Sequence, residues 1–73
     1  MIEIRLFATL RQGREKIYFL PADNFINAGE ILKYFDIPQK DVSILLINGF
    51  HSKPEDTVKD GDIIALFPPV GGG

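Results

Sequence analysis

Asn27-Ala28-Gly29-Glu30-Ile31-Leu32-Lys33-Tyr34-Phe35 is the stretch on which the fold turns. Ala28, Ile31, Leu32 and Phe35 fall at i, i+3, i+4 and i+7, which lays them along one face of a helix. Asn27 followed three residues later by Glu30 resembles a capping box, in which two side chains satisfy backbone N–H groups at the helix start. Gly29 stands in the first turn, where its low helix propensity costs less than in mid-helix. Pro38 is expected to end the helix. Outward from this segment the pattern changes to that of strands, an alternation at the start of the chain and short apolar runs after the helix.

Upstream, Ile2-Glu3-Ile4-Arg5-Leu6-Phe7 alternates, with apolar residues at 2, 4 and 6, and reads as a half-buried strand. Thr9 to Arg14 reads as a turn with Gly13 at its tip. Glu15 to Leu20 is a second strand, rich in β-formers and stopped by Pro21. The two strands make a hairpin. Downstream, Ser43 to Ile47 is an apolar run leading into Asn48-Gly49, a strong hairpin signal. A short strand at Phe50-His51 follows, then a polar, turn-rich segment to Gly61. Asp62 to Phe67 is the last strand, closed by Pro68-Pro69. The expected architecture is α+β: a mixed sheet of four to five strands with one main helix packed across one face. The first and last strands are expected to be neighbours at its centre. Residues 1–67 form the folded domain, and 68–73 a flexible tail.

The 73 residues include no Cys, and eight basic residues against ten acidic give a net charge of −2. That balance argues against nucleic acid or an anionic membrane surface as the main partner. Absence of Cys removes disulfides, thiolate zinc sites and reactive thiols. No signal peptide and no membrane-length apolar run is present, so a cytoplasmic domain is expected. His51 reads as a solvated hairpin residue, and Asp56, Asp60 and Asp62 as turn residues lacking the spacing of a calcium loop. No metal site is expected. There is neither a phosphate-binding loop nor a nucleophile–base pair, and so small a domain leaves little room for a pocket of roughly 300 Å³ or more. The chain is expected to be no enzyme.

Two features stand out. Gly71, Gly72 and Gly73 follow two prolines at the end of the sequence. Prolines hold a chain extended at about 3.1 Å per residue, so Pro68, Pro69, Val70 and the glycines reach about 20 Å. Glycine backbone enters a channel too narrow for side chains. The one reactive group of such a tail is the Gly73 carboxylate, which needs activation, for example as an adenylate. The second feature is the pleat. If Ile4, Leu6, Leu45, Ile47, Ile64 and Leu66 face the helix, then Phe7, Ile44, Leu46, Ile63, Ala65 and Phe67 face away from it. One helix covers one face, so these six are expected to form an open apolar patch beside the tail, of the kind that marks partner sites. Arg11 is expected to extend the patch as a rim cation toward an acidic partner surface.

Phe7-Ala8-Thr9-Leu10-Arg11 resembles the Phe-Ala-x-Leu-Arg signature of the small subunit of molybdopterin synthase, the MoaD family. Leu66-Phe67-Pro68-Pro69-Val70-Gly71-Gly72-Gly73 resembles its Phe-Pro-Pro-Val-x-Gly-Gly end, and Asp60-Gly61-Asp62 and Asn48-Gly49 fit the same frame. The sequence departs from the family at Gln12, where Glu is common, and in its third glycine, Gly71. The resemblance implies a ubiquitin-like β-grasp fold and a sulfur carrier. A ubiquitin-activating-type enzyme would use ATP to adenylate Gly73. A sulfur donor protein would convert the adenylate to a thiocarboxylate, and the tail would deliver sulfur in the large synthase subunit during molybdopterin synthesis. No stably bound cofactor is implied, and the free protein is expected to be a monomer. The related ThiS family of thiazole synthesis shares the fold and the Gly-Gly end. Thiamine or tRNA-thiolation carriers, a ubiquitin-like modifier of lysines, and a non-covalent interaction module are the alternatives.

Overall fold

The computed structural model describes residues 1–69. Five strands, β1 (Ile2–Leu6), β2 (Ile17–Leu20), β3 (Ile44–Ile47), β4 (Phe50–His51) and β5 (Ile63–Phe67), form one sheet, and α1 (Ala28–Tyr34) is its helix. Short 3₁₀ turns occupy Ala8–Arg11, Ala22–Asn24 and Gln39–Asp41. The spatial order is β2-β1-β5-β3-β4. β1 and β5 run parallel, and every other neighbouring pair is antiparallel. This is the ubiquitin-like β-grasp, with the first and last strands adjacent and β5 central, as expected.

Period two decides what lies under the helix. Ile2, Ile4, Leu6, Ile64 and Leu66 are wholly buried against Ala28, Ile31 and Leu32 in one core. Of the residues expected inside, Ile47 is only half-buried, because it lies beside the two-residue edge strand, opposite the exposed Phe50. Leu10, Leu20, Phe25, Ile37 and Val58 join the core from turns and strand ends, where no period announces them.

Both helix ends differ in detail from the expectation. Asn27 Oδ1 accepts from the Glu30 N–H at 3.0 Å, while the Glu30 carboxylate reaches the Ile26 N–H instead of the Asn27 one. The N–H groups of Ala28 and Gly29 donate to the carbonyls of Asp56 and Pro54, so the 54–56 loop sits against the first turn. A Cβ on Gly29 would stand 3.3 Å from the Pro54 carbonyl oxygen, so the glycine is there for close approach, beyond mere tolerance of its position. The helix ends at Tyr34, four residues before the extended Pro38: Asp36 adopts φ +58°, and the N–H groups of Asp36 and Ile37 donate to the carbonyls of Lys33 and Leu32. That is a Schellman stop, so Pro38 only follows a helix already ended.

Asp62 is more than a turn residue. It is 3 % exposed, and its carboxylate accepts from the Asn48 side chain and from the Lys59 N–H, each at 2.9 Å. Asn48 Oδ1 in turn accepts from the Ile63 N–H. Asn48 and Gly49 both have positive φ, the backbone of a tight hairpin turn. The network therefore clamps the β3–β4 hairpin to the start of β5. Asp60 pairs with the Met1 amine, which holds its carboxyl below the ordinary value; the amine's charge adds to this hydrogen bond.

Candidate functional site

The residues that β-strand alternation sends away from α1 lie together on the uncovered face. Phe7 continues β1, Ile63, Ala65 and Phe67 stand on β5, and Ile44 and Leu46 on β3. Register places Ile44 across from Phe67, and Leu46 across from Ala65. Ile44 and Ile63 are exposed, and Phe7, Leu46, Ala65 and Phe67 are half-buried by one another. The strip is wider than the alternation argument found. Ile17 and Phe19 of β2 pair with Arg5 and Glu3 of β1, which puts them on the same face at 41 % and 60 % exposure. Treating β2 as a stretch of β-formers, without assigning its pleat, hid them. His51, read as a solvated hairpin residue, is exposed opposite Leu46.

Phe7 and Phe67 stack, with ring centroids 4.3 Å apart and planes 9° from parallel. The Arg11 guanidinium lies over the Phe7 ring, its Cζ 5.4 Å from the centroid, and its Nε donates to the Leu6 carbonyl at 2.7 Å. Arg11, expected as a rim cation, is thus held at the surface on the domain's own aromatic and carbonyl groups. What makes this possible is Ala8, at φ +52°. A left-handed conformation costs a residue with a Cβ about 1–2 kcal/mol. Here it folds the Ala8–Arg11 turn back on the end of β1, seating Leu10 in the core and Arg11 on Phe7.

The same turn lies at the root of the tail. Thr9, Leu10 and Gln12 line an open hollow with Asp36, Pro38 and Asp41 on the far side and Pro68 and Pro69 along it. Its volume, about 420 Å³, exceeds what so small a domain was expected to offer. Pro68 is half-buried and Pro69 exposed. Val70, Gly71, Gly72 and Gly73, and with them the expected reactive carboxylate, lie outside the described residues.

Charge is uneven. Residues 1–16 carry four basic side chains against two acidic, and the rest of the chain four against eight. Arg5, Arg11 and Lys16 gather with Phe7 and Ile17 around a shallow depression at the edge of the open face. Arg5 also pairs with Glu3. Among the described residues no cluster of three His, Asp or Glu side chains could hold a metal ion, and no helix is long and apolar enough to cross a membrane.

A β-grasp frame with an open apolar sheet face that runs directly into a glycine tail defines the class of small ubiquitin-like carriers and modifiers. The chain belongs to the ThiS family, whose model matches residues 4–73. Among solved structures, small archaeal modifier protein 1 of Haloferax volcanii is similar at 26 % identity and a TM-score of 0.77, covering 94 % of this chain and 97 % of that one. A second crystal structure, of SAMP1 from Haloferax volcanii, is similar at 24 % identity and a TM-score of 0.74, with 99 % and 98 % covered. A chain in the complex of subunits 1 and 2 of molybdopterin-converting factor from Helicobacter pylori 26695 is similar at 24 % identity and a TM-score of 0.66, covering 99 % of this chain and 97 % of that one. The search of curated proteins gave no match.

Proposed function

We propose that this protein is a sulfur carrier whose Gly73 carboxylate is adenylated and then converted to a thiocarboxylate, and that its pathway is molybdopterin synthesis. The observation that carries the reading is the join between β5 and the tail. Phe67, on the open face, hands the chain directly to Pro68-Pro69 and the glycines, so the surface a partner would grip and the group it would act on share one strand. The Phe-Ala-x-Leu-Arg segment and the Pro-Pro before the glycines favour molybdopterin over thiazole synthesis.

The chemistry needs little from the carrier itself, which acts as a substrate and supplies no catalytic group. A carboxylate oxygen of Gly73 attacks the α-phosphorus of ATP on a ubiquitin-activating-type enzyme, and pyrophosphate leaves. A persulfide on a donor protein attacks the acyl carbon, and AMP leaves. A second thiol on the donor side then attacks the donor's own cysteine sulfur, the inner one of the acyl disulfide; those two sulfurs end as a disulfide, and the outer sulfur stays on the acyl carbon as the thiocarboxylate. The large subunit of molybdopterin synthase would receive the tail. With sulfur on the acyl carbon, the carrier needs no Cys.

A second reading is a ubiquitin-like modifier, in which a lysine amine attacks the same activated carbonyl. The 26 % identity to small archaeal modifier protein 1 of Haloferax volcanii supports it. Intact mass spectrometry after incubation with an adenylating enzyme, ATP and a sulfur donor separates the two. A gain equal to one oxygen replaced by sulfur supports the carrier. Conjugates heavier by a whole second protein support the modifier, and an unchanged mass overturns both.

A further inference from the structure

The Ala8–Arg11 turn touches everything that controls where the tail begins. Arg11 reaches back to the Leu6 carbonyl and covers Phe7, Phe7 stacks on Phe67, and Thr9 and Leu10 line the same hollow as Pro68 and Pro69. Near-parallel rings at 4.3 Å leave Phe67 little freedom to rotate without losing its partner. Phe67 is the last residue of β5, so the setting of its backbone fixes the first direction of the tail. Pro68 has its own φ fixed by its ring and passes that direction on. The left-handed Ala8 is the local cost of bringing Arg11 onto Phe7, and backbone strain held in place by its surroundings gathers at functional positions.

We propose that Arg11, acting through Phe7, is a positioning residue: the Arg11–Phe7–Phe67 stack pre-sets the direction in which β5 delivers the tail to an activating enzyme. The proposal rests on the carrier reading and adds to it a division of labour on one face. Ile44, Leu46, Ile63, Ala65 and the Phe67 ring form the docking floor, whereas Arg11 and Phe7, by holding Phe67, govern what happens after docking. A docked carrier whose tail leaves at the wrong angle holds its carboxylate away from the ATP phosphorus. Misplacement by about 1 Å is enough to cost a hundredfold in rate.

Two kinds of measurement on the full chain decide it. In steady-state adenylation, read as ATP–pyrophosphate exchange, Arg11→Ala and Phe7→Leu are expected to lower kcat about tenfold while KM for the carrier stays within about twofold, the pattern of an interaction that matters only beyond the docked state. Arg11→Lys is expected to behave like Arg11→Ala, because lysine keeps the charge and loses the planar group that covers the ring. A raised KM with kcat unchanged, restored by lysine, would overturn the proposal and make Arg11 a docking charge. Independently of any enzyme, NMR of the free protein is expected to show Phe7–Phe67 ring contacts and a single Phe67 χ1 rotamer in the wild type, both weakened in Arg11→Ala. An unaltered Phe67 in that variant also overturns the proposal. If the wild type is not adenylated at all, the carrier reading falls, and the NMR comparison still decides whether Arg11 sets Phe67. Arg11 is at the surface; should Arg11→Ala nevertheless unfold, Phe7→Leu reads the same loss.

Discussion

At the scale of single residues, burial and backbone angle settle most of the consequences. Leu66 is wholly buried on the central strand. Leu66→Ala is expected to cost about 2–5 kcal/mol in chemical denaturation, the range for large-to-small changes in a well-packed core; a loss below about 1 kcal/mol would contradict the inward pleat. Asp36 is the opposite case, an exposed side chain on left-handed backbone at the helix stop. Its carboxylate also faces the carbonyl end of α1, where negative charge is unfavourable. Asp36→Gly is therefore expected to raise stability by about 0.5–1 kcal/mol, and Asp36→Asn by less. A decrease in either variant would mean that Asp36 makes a favourable contact in the hollow beside the tail. Asp60 is expected to contribute to the acid dependence of stability. Its folded-state pKa is depressed by the Met1 amine, so its contribution is present above the ordinary carboxylate value and is lost as pH falls through the lower, folded one. The stability difference between wild type and Asp60→Asn should accordingly shrink as the pH is taken below about 4. A difference that stays constant with pH would remove Asp60 from the acid limb.

At the scale of elements, the inward face was legible on β1, where apolar and charged residues alternate, and the pleat alone carried it over to the wholly apolar β3 and β5; the helix face was legible at 28, 31, 32 and 35. Where a residue's role depends on another segment, the sequence is silent. Nothing in the pattern around Asp62 says that Asn48 will come within 2.9 Å of it, and nothing about Ala8 announces φ +52°. Arg11 likewise could be placed near the patch but not on Phe7. The stack also refines what truncation of Phe67 should do. Phe67→Ala removes an open-face anchor and an aromatic pair worth about 0.5–1.5 kcal/mol, so melting should fall modestly. Binding to an activating enzyme or synthase subunit should weaken by at least about 1–2 kcal/mol. Normal binding by a variant that unfolds readily would make Phe67 a core residue and remove the patch from function.

At the scale of the whole molecule, the proposed function gives presentation to the frame and reaction to the tail, and the two should be separable. Deleting Gly73 shortens the chain by roughly 3.5 Å and removes none of the residues that make up the core. Adenylation and thiocarboxylate formation should be abolished while the melting temperature is unchanged. Adding one residue after Gly73 should do the same, which distinguishes a requirement for position from a requirement for glycine. Sulfur acceptance by either variant at the wild-type rate would refute the carrier reading. The strand order has a further, mechanical meaning. β1 begins at Ile2, β5 ends at Phe67, and the two are parallel neighbours, so the points where the chain enters and leaves lie at opposite ends of one ladder. Tension applied between the N-terminus and the tail loads the bonds of that ladder together, in shear, whereas a hairpin such as β1–β2 pulled from its open end would give way one bond at a time. A molecular motor hauling on the tail against an anchored N-terminus would have to break the bonds of that ladder together.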